Sequence, residues 1–130
     1  MYGGQGEYIP EFPLPDKSQQ IVIYYLSWCP SCKRALEALR NFRDKKGNPM
    51  LYSAYDAEAL MTNLLRQTGK KKVDQNDLGG RGRSLFFKHL DGLTGKYRYF
   101  PLVFVQGKFI GGSSDLIQAL NQLQGHKHVY

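Results

Sequence analysis

Cysteine is scarce in this chain: two in 130 residues, both in the stretch Trp28-Cys29-Pro30-Ser31-Cys32. That excludes a small disulfide-stapled fold of the secreted kind. Long apolar runs are missing too. None approaches the roughly 20 residues a membrane helix needs, so no membrane span is expected. The opening Met1-Tyr2-Gly3-Gly4-Gln5-Gly6 lacks a basic stretch followed by an apolar one. A secretory leader is therefore not expected, and the cytoplasm is the expected location (host cytoplasm for a viral chain). No internal repeat, P-loop or dinucleotide fingerprint is present. Acidic residues are outnumbered, 11 against 18 Lys and Arg, for a formal charge of +7. A basic surface attracts nucleic acid, acidic protein patches or anionic small molecules, and charge does not choose among them. What remains is ordinary globular material: 42% hydrophobic, with nine Tyr and seven Phe, in a chain the length of one domain.

A bond between Cys29 and Cys32 would close a loop stabilising the fold by only about 2 kcal/mol, little for a structural staple. Cys-x-x-Cys is also half of many zinc sites, but the other half is missing. His126 and His128 are one residue apart and His89 stands alone. A reversible redox pair is the reading that fits a lone Cys-x-x-Cys, and no metal is expected.

The flanks define the setting. Gln20 to Leu26 is a β-branched and aromatic run suited to one buried strand. Lys33 to Lys45 reads as a helix, with Cys32, Leu36, Leu39 and Phe42 on one face and Gly47-Asn48-Pro49 as its stop. Cys29 then lies at the helix N-cap, with Pro30 at the first helical position, where its missing N–H does no harm. A sulfur there can accept hydrogen bonds from the free N–H groups of Ser31 and Cys32 and faces the positive end of the helix dipole. Both favour the thiolate. Cys29 is thus the expected attacking thiol, and Cys32, one turn in and more covered, the resolving one.

Elsewhere the pattern is coarser. Residues 1–19 are rich in Gly and Pro and read as a flexible extension. Met50 to Tyr55 is a second strand, which makes a right-handed βαβ unit with parallel strands. Ala57 to Gln67 is a helix, broken at Thr68-Gly69. Leu78-Gly79-Gly80-Arg81-Gly82-Arg83 reads as a flexible basic loop, and Leu85 to Leu90 as a helix ending at Asp91-Gly92. Residues 66–83 are strongly basic and are read as a solvated face, with a partner- or nucleic-acid-binding module as an alternative; nucleic acid is not expected. Pro101 precedes an apolar strand, Gln106-Gly107 turns a hairpin, and Gly111-Gly112 leads into a last helix. Ser113 or Ser114 is its expected N-cap, Leu116, Ile117, Leu120 and Leu123 its buried face, and Gly125 its end. Residues 125–130 read as a tail.

A strand entering Cys29-Pro30-Ser31-Cys32, Phe100-Pro101 before a strand, and Phe109-Ile110-Gly111-Gly112-Ser113-Ser114-Asp115-Leu116 together resemble the dithiol glutaredoxins, in the divergent style of viral and phage members. The resemblance covers residues 20–56 and 85–124. It implies an α/β, thioredoxin-like fold over 20–124: a four-stranded mixed sheet flanked by helices, with an insertion at about 57–84 before a cis bond from Phe100 to Pro101. It implies glutathione as reductant, held by Arg98, Tyr99, Phe100 and Pro101 at one end and by Gly112, Ser113 and Ser114 at the other. It implies protein disulfides or glutathione mixed disulfides as substrates, ribonucleotide reductase among the partners. Leu26 stands where many members carry lysine, Ser31 where an aromatic residue is common, and Trp28 is shared with thioredoxins. A thioredoxin-like donor served by a reductase enzyme is therefore the second expectation.

Overall fold

The computed structural model describes residues 12–90 and 92–124. In chain order it contains β1 (Ile21–Tyr25), α1 (Pro30–Asn41), β2 (Tyr52–Asp56), α2 (Ala57–Gln67), α3 (Gln75–Asp77), a π-helical turn (Leu78–Gly82), α4 (Arg83–His89), β3 (Leu102–Val105), β4 (Lys108–Gly111) and α5 (Ser113–Leu123). These fall into two compact units, one built from residues 15–56 and 93–124, the other from 12–14 and 57–92. The expected tail 125–130, Asp91 and the first eleven residues lie outside the described set.

The first unit holds the sheet, in the order β2-β1-β3-β4. β1 runs parallel to β2, with Ile21 opposite Tyr52 and Tyr25 opposite Asp56. β1 is antiparallel to β3, and β3 to β4. The expected parallel βαβ unit is present, and the mixed four-stranded sheet has the topology of the thioredoxin-like fold. Side-chain alternation explains the apolar strands. Ile21, Ile23 and Val103 join Ala35, Leu39 and Phe42 of α1 and Leu116 and Leu120 of α5 in one buried cluster. Val22, Tyr24, Leu102 and Phe104, which alternate with them, are fully buried as well. Each such large apolar side chain contributes roughly 1.5–3 kcal/mol.

Three element boundaries differ from expectation. α1 stops at Asn41, four residues short of Lys45, and Phe42 is already extended. Asp44 is the cause: its Oδ1 accepts the N–H groups of Lys46 and Asn48, both at 2.8 Å, which folds the chain into a turn instead. The β2 strand starts at Tyr52 rather than Met50. In α5, Gly112 rather than a serine is the N-cap. Leu116 and Leu120 are buried there, but Leu123 is 55% exposed, so the apolar face ends a turn early. Gly125, its expected stop, lies outside the described residues.

The second unit corrects the reading of 78–83 as a flexible loop: those residues are helical. Asp74 and Asp77 form a reciprocal capping pair (Asp77 N–H to Asp74 Oδ1 at 2.9 Å, Asp74 N–H to Asp77 Oδ2 at 3.0 Å). The run continues through the π-helical turn into α4. Gly82 packs so closely that an added Cβ would lie 3.1 Å from Leu65 and 3.2 Å from Met61 of α2. The α2 helix matches its expected bounds, with Met61, Leu64 and Leu65 buried. Phe12 meets Phe86 edge-on at 5.4 Å between centroids and lies over His89 at the same distance. No helix among the described residues is long and apolar enough to cross a membrane.

Candidate active site

β1 ends at Tyr25, and Leu26 to Trp28 turn the chain into α1. The turn is closed by the Cys29 N–H, which donates to Leu26 O at 3.2 Å. Cys29 is the N-cap of α1, in an extended conformation, and Pro30 opens the helix, both as expected. The Cys29 carbonyl starts the helical ladder by accepting the Lys33 N–H at 3.0 Å. Its side chain makes no cap hydrogen bond. The expected bonds from the Ser31 and Cys32 N–H groups are therefore not formed in this state. The thiol points the other way and donates to Phe100 O at 3.8 Å, a long sulfur contact.

Three residues on, Cys32 is fully buried. Its sulfur accepts the Leu26 N–H at 3.4 Å. Its pKa is pushed up from the usual thiol range, first by burial. A hydrogen bond to the Cys29 sulfur and the repulsion of a negative charge on Cys29 add to this, against the Leu26 N–H. The two thiols are thus unlike. Cys29 is half-exposed and Cys32 holds its proton.

Opposite Cys29, the bond from Phe100 to Pro101 is cis, as the resemblance implied. Pro101 is buried and Phe100 half-buried, while the Tyr99 side chain is 70% exposed. Trp28, beside the cysteine in sequence, is 63% exposed. Arg98 Nη1 is engaged by its own chain, donating to Gly95 O at 2.6 Å and Tyr97 O at 2.9 Å.

The other expected contact region is the start of α5. Gly112 N–H donates to Asp115 Oδ2 at 3.0 Å. Gly111 has φ +123°, and a Cβ there would run into the Asp115 carboxylate, so glycine is required. Ser114 is exposed. Ser113 is buried, and its hydroxyl accepts from Arg34 Nη2 at 3.1 Å. Arg34 thereby ties the cysteine helix to the start of α5. The structure brings Cys29, Cys32, Phe100 and Pro101 together directly, and links Ser113 to α1 through Arg34.

Sequence reasoning missed three contributors. Arg34 was visible only as one cation in a basic helix. Thr94 and Tyr97 lie in a stretch with no motif. The Tyr97 ring nonetheless lies 5.1 Å from Phe109 and 5.5 Å from Tyr99. The density of tyrosine from Tyr97 to Phe100 was the available signal.

No known family profile matches the chain. In sequence it is similar to a probable glutaredoxin of Acanthamoeba polyphaga mimivirus, 26% identical over 100 residues, which are 77% of this chain and 76% of that protein. Among solved structures it overlays on the dithiolic glutaredoxin 2-C-Grx1 of Trypanosoma brucei brucei (TM-score 0.49, 24% identity, 82% of this chain and 80% of that one). It also overlays on holo glutaredoxin C1 of Populus tremula x tremuloides (TM-score 0.47, 19% identity, 83% and 80%) and on a buckwheat glutaredoxin–glutathione complex (TM-score 0.40, 18% identity, 83% and 74%). The chain is therefore similar in sequence to a viral glutaredoxin over about three quarters of its length, and its sheet has the topology of the thioredoxin-like fold.

Proposed function

We propose that this chain, a thiol–disulfide oxidoreductase, draws its electrons from glutathione and reduces protein disulfides or glutathione mixed disulfides. One observation carries the reading: a half-exposed sulfur at a helix N-cap, with a second, buried thiol three residues on in the same helix. The chemistry follows. Cys29 thiolate attacks one sulfur of a substrate disulfide, the S–S bond breaks, and the leaving thiolate takes up a proton. Cys32 then loses its proton and attacks the Cys29 sulfur, releasing the second substrate thiol and closing the Cys29–Cys32 disulfide. One glutathione thiolate opens that bond at Cys29. A second attacks the mixed disulfide and leaves as glutathione disulfide, restoring both thiols. Burial and a negative charge on Cys29 both hold the proton on Cys32; formation of the mixed disulfide removes that charge, and Cys32 then gives up its proton more readily.

Glutathione is proposed to lie along Tyr99, Phe100 and Pro101. Its γ-glutamyl carboxylate would face the N–H groups of Ser113 and Ser114 beside Gly112, and Arg98 supplies positive charge near the other end. The similarity to a viral glutaredoxin supports this reading. Protein partners, including ribonucleotide reductase, and the cytoplasmic location belong to the same proposal.

A second reading has its own support. Leu26, where many glutaredoxins carry lysine, is buried and offers no charge to a carboxylate, and Trp28 is exposed beside Cys29 as in thioredoxins. A donor served by a reductase enzyme would fit these two residues. Turnover of hydroxyethyl disulfide with glutathione, and none with thioredoxin reductase, supports the first reading. The reverse selects the second.

A further inference from the structure

The turn before the cis-proline is tied together more heavily than a solvated loop needs. Thr94 is one of two buried polar side chains among the described residues. Its hydroxyl donates to Tyr97 O at 3.1 Å, and the Tyr97 N–H returns to Thr94 O at 3.0 Å. Arg98 Nη1 closes the knot on Gly95 O, Tyr97 O and Thr94 Oγ1. What this turn presents is Tyr97. Its ring meets Tyr99 edge-on, on the chain that leads to Phe100, and Phe109 of β4 on the other side. Its hydroxyl stands over Gly112, and a Cβ there would come within 2.6 Å of that oxygen. Burial, then the charges of Asp115 and Tyr99, hold the phenol proton on above its ordinary range, so the hydroxyl stays neutral.

One ring therefore spans two segments: the strand entering Pro101 and the start of α5. On the reading above, these segments receive the two ends of glutathione. We propose that Tyr97 is a positioning residue whose hydroxyl, resting on Gly112, sets the span between the Phe100 backbone and the Ser113–Ser114 helix start to the length of a tripeptide-sized anionic thiol. The inference rests on that reading and adds a residue to it. Tyr97 acts through the groove it braces. Thr94 and Arg98 Nη1 act through Tyr97 by keeping its turn closed. The glycine at 112 follows from the same contact, since its φ of −108° is open to any residue and only the hydroxyl above it excludes a side chain.

The test is a double-mutant cycle, reading glutathione KM and kcat with hydroxyethyl disulfide together with Tm. Tyr97→Phe removes one oxygen and keeps the ring packing. It is expected to raise the glutathione KM about fivefold with kcat within about twofold. Gly112→Ala in the wild-type background is expected to raise KM further and to lower Tm, because the methyl meets the hydroxyl. In the double variant the methyl faces the ring carbon at 3.8 Å, an ordinary contact, so most of the Gly112→Ala defect in both KM and Tm should disappear. An unchanged KM in Tyr97→Phe, or a Gly112→Ala defect undiminished in the double variant, overturns the proposal. Wild-type protein that exchanges with a protein disulfide but shows no turnover with glutathione overturns the glutathione reading, and this inference with it. Wild-type turnover alongside an unmoved Tyr97→Phe overturns the inference alone.

Discussion

The helices of this protein begin in two different ways. The run that starts at Asp74 has its first N–H groups satisfied by a reciprocal pair of carboxylates, and at α5 Asp115 reaches back to the Gly112 N–H. At α1 no side chain caps the end. The position where serine or aspartate would stabilise a helix by about 1 kcal/mol is held by Cys29, whose thiol donates instead to Phe100 O. The starts at Asp74 and Gly112 are closed by carboxylates, and the start that carries Cys29 is left open. Those unsatisfied N–H groups are what a thiolate, once formed, can use. On the proposed function, stability forgone at this helix start is the counterpart of reactivity there.

The sharpest way to break that contrast is Cys29→Ser. Serine is a good N-cap and a poor nucleophile. Turnover should fall by at least roughly a thousandfold, while Tm should rise by a few degrees in reduced protein. A fall in both would show that the sulfur, rather than the missing cap, stabilises α1. Cys32→Ser comes next. Reduction of protein disulfides should be lost, while reduction of glutathione mixed disulfides persists in part, because only the first needs a resolving thiol.

Asp115→Ala should remove the cap at α5 and leave the carboxylate's place beside Gly111 empty. A loss of about 1 kcal/mol is expected by chemical denaturation, with a raised glutathione KM. Asp74→Ala should cost a similar amount with no change in thiol exchange, since that start serves only the second unit. The smallest effect is on pH dependence. Cys32 has a folded pKa above that of an unfolded thiol, so the folded state binds more protons in alkali. Its contribution is fully present below the unfolded value of ~8.5 and is lost as pH rises through the folded one. Tyr24, also raised, first by burial and then by Tyr55, steepens the same fall at still higher pH. Reduced Cys32→Ala should show a shallower alkaline loss of stability than wild type in urea titrations. An unchanged slope would show that Cys32 is not the titrating group.

The elements that carry the site were readable from the chain. A β-branched run, then Pro30 one residue past a cysteine, fixes a strand, a turn and a helix start by local rules alone. The hairpin at Gln106-Gly107 and the bounds of α2 follow from similar local signals. What escaped depends on partners distant in sequence or on side chains bonding their own backbone. Asp44 ends α1 early by accepting two N–H groups, a choice that periodicity does not register. Residues 78–82 carry three glycines and read as a loop, but Gly82 is held against Met61 and Leu65, and the Asp74–Asp77 pair starts a helical run ahead of it. Ser113 looked like a cap and is instead a buried acceptor for Arg34. Tyr97 belongs to no motif, because its role depends on where β4 and α5 meet.

The claim on which the rest depends is that Cys29, and not Cys32, is the sulfur that attacks. The direct measurement is to mix reduced protein with a slight excess of glutathione disulfide, quench in acid within seconds, and locate the glutathione adduct by peptide mass, in wild type and in Cys32→Ser. The account predicts a transient adduct on Cys29 in wild type, giving way to the Cys29–Cys32 disulfide, and a lasting adduct on Cys29 in Cys32→Ser. An adduct that forms first on Cys32, or a Cys29→Ser variant that becomes glutathionylated as fast as wild type, would contradict it.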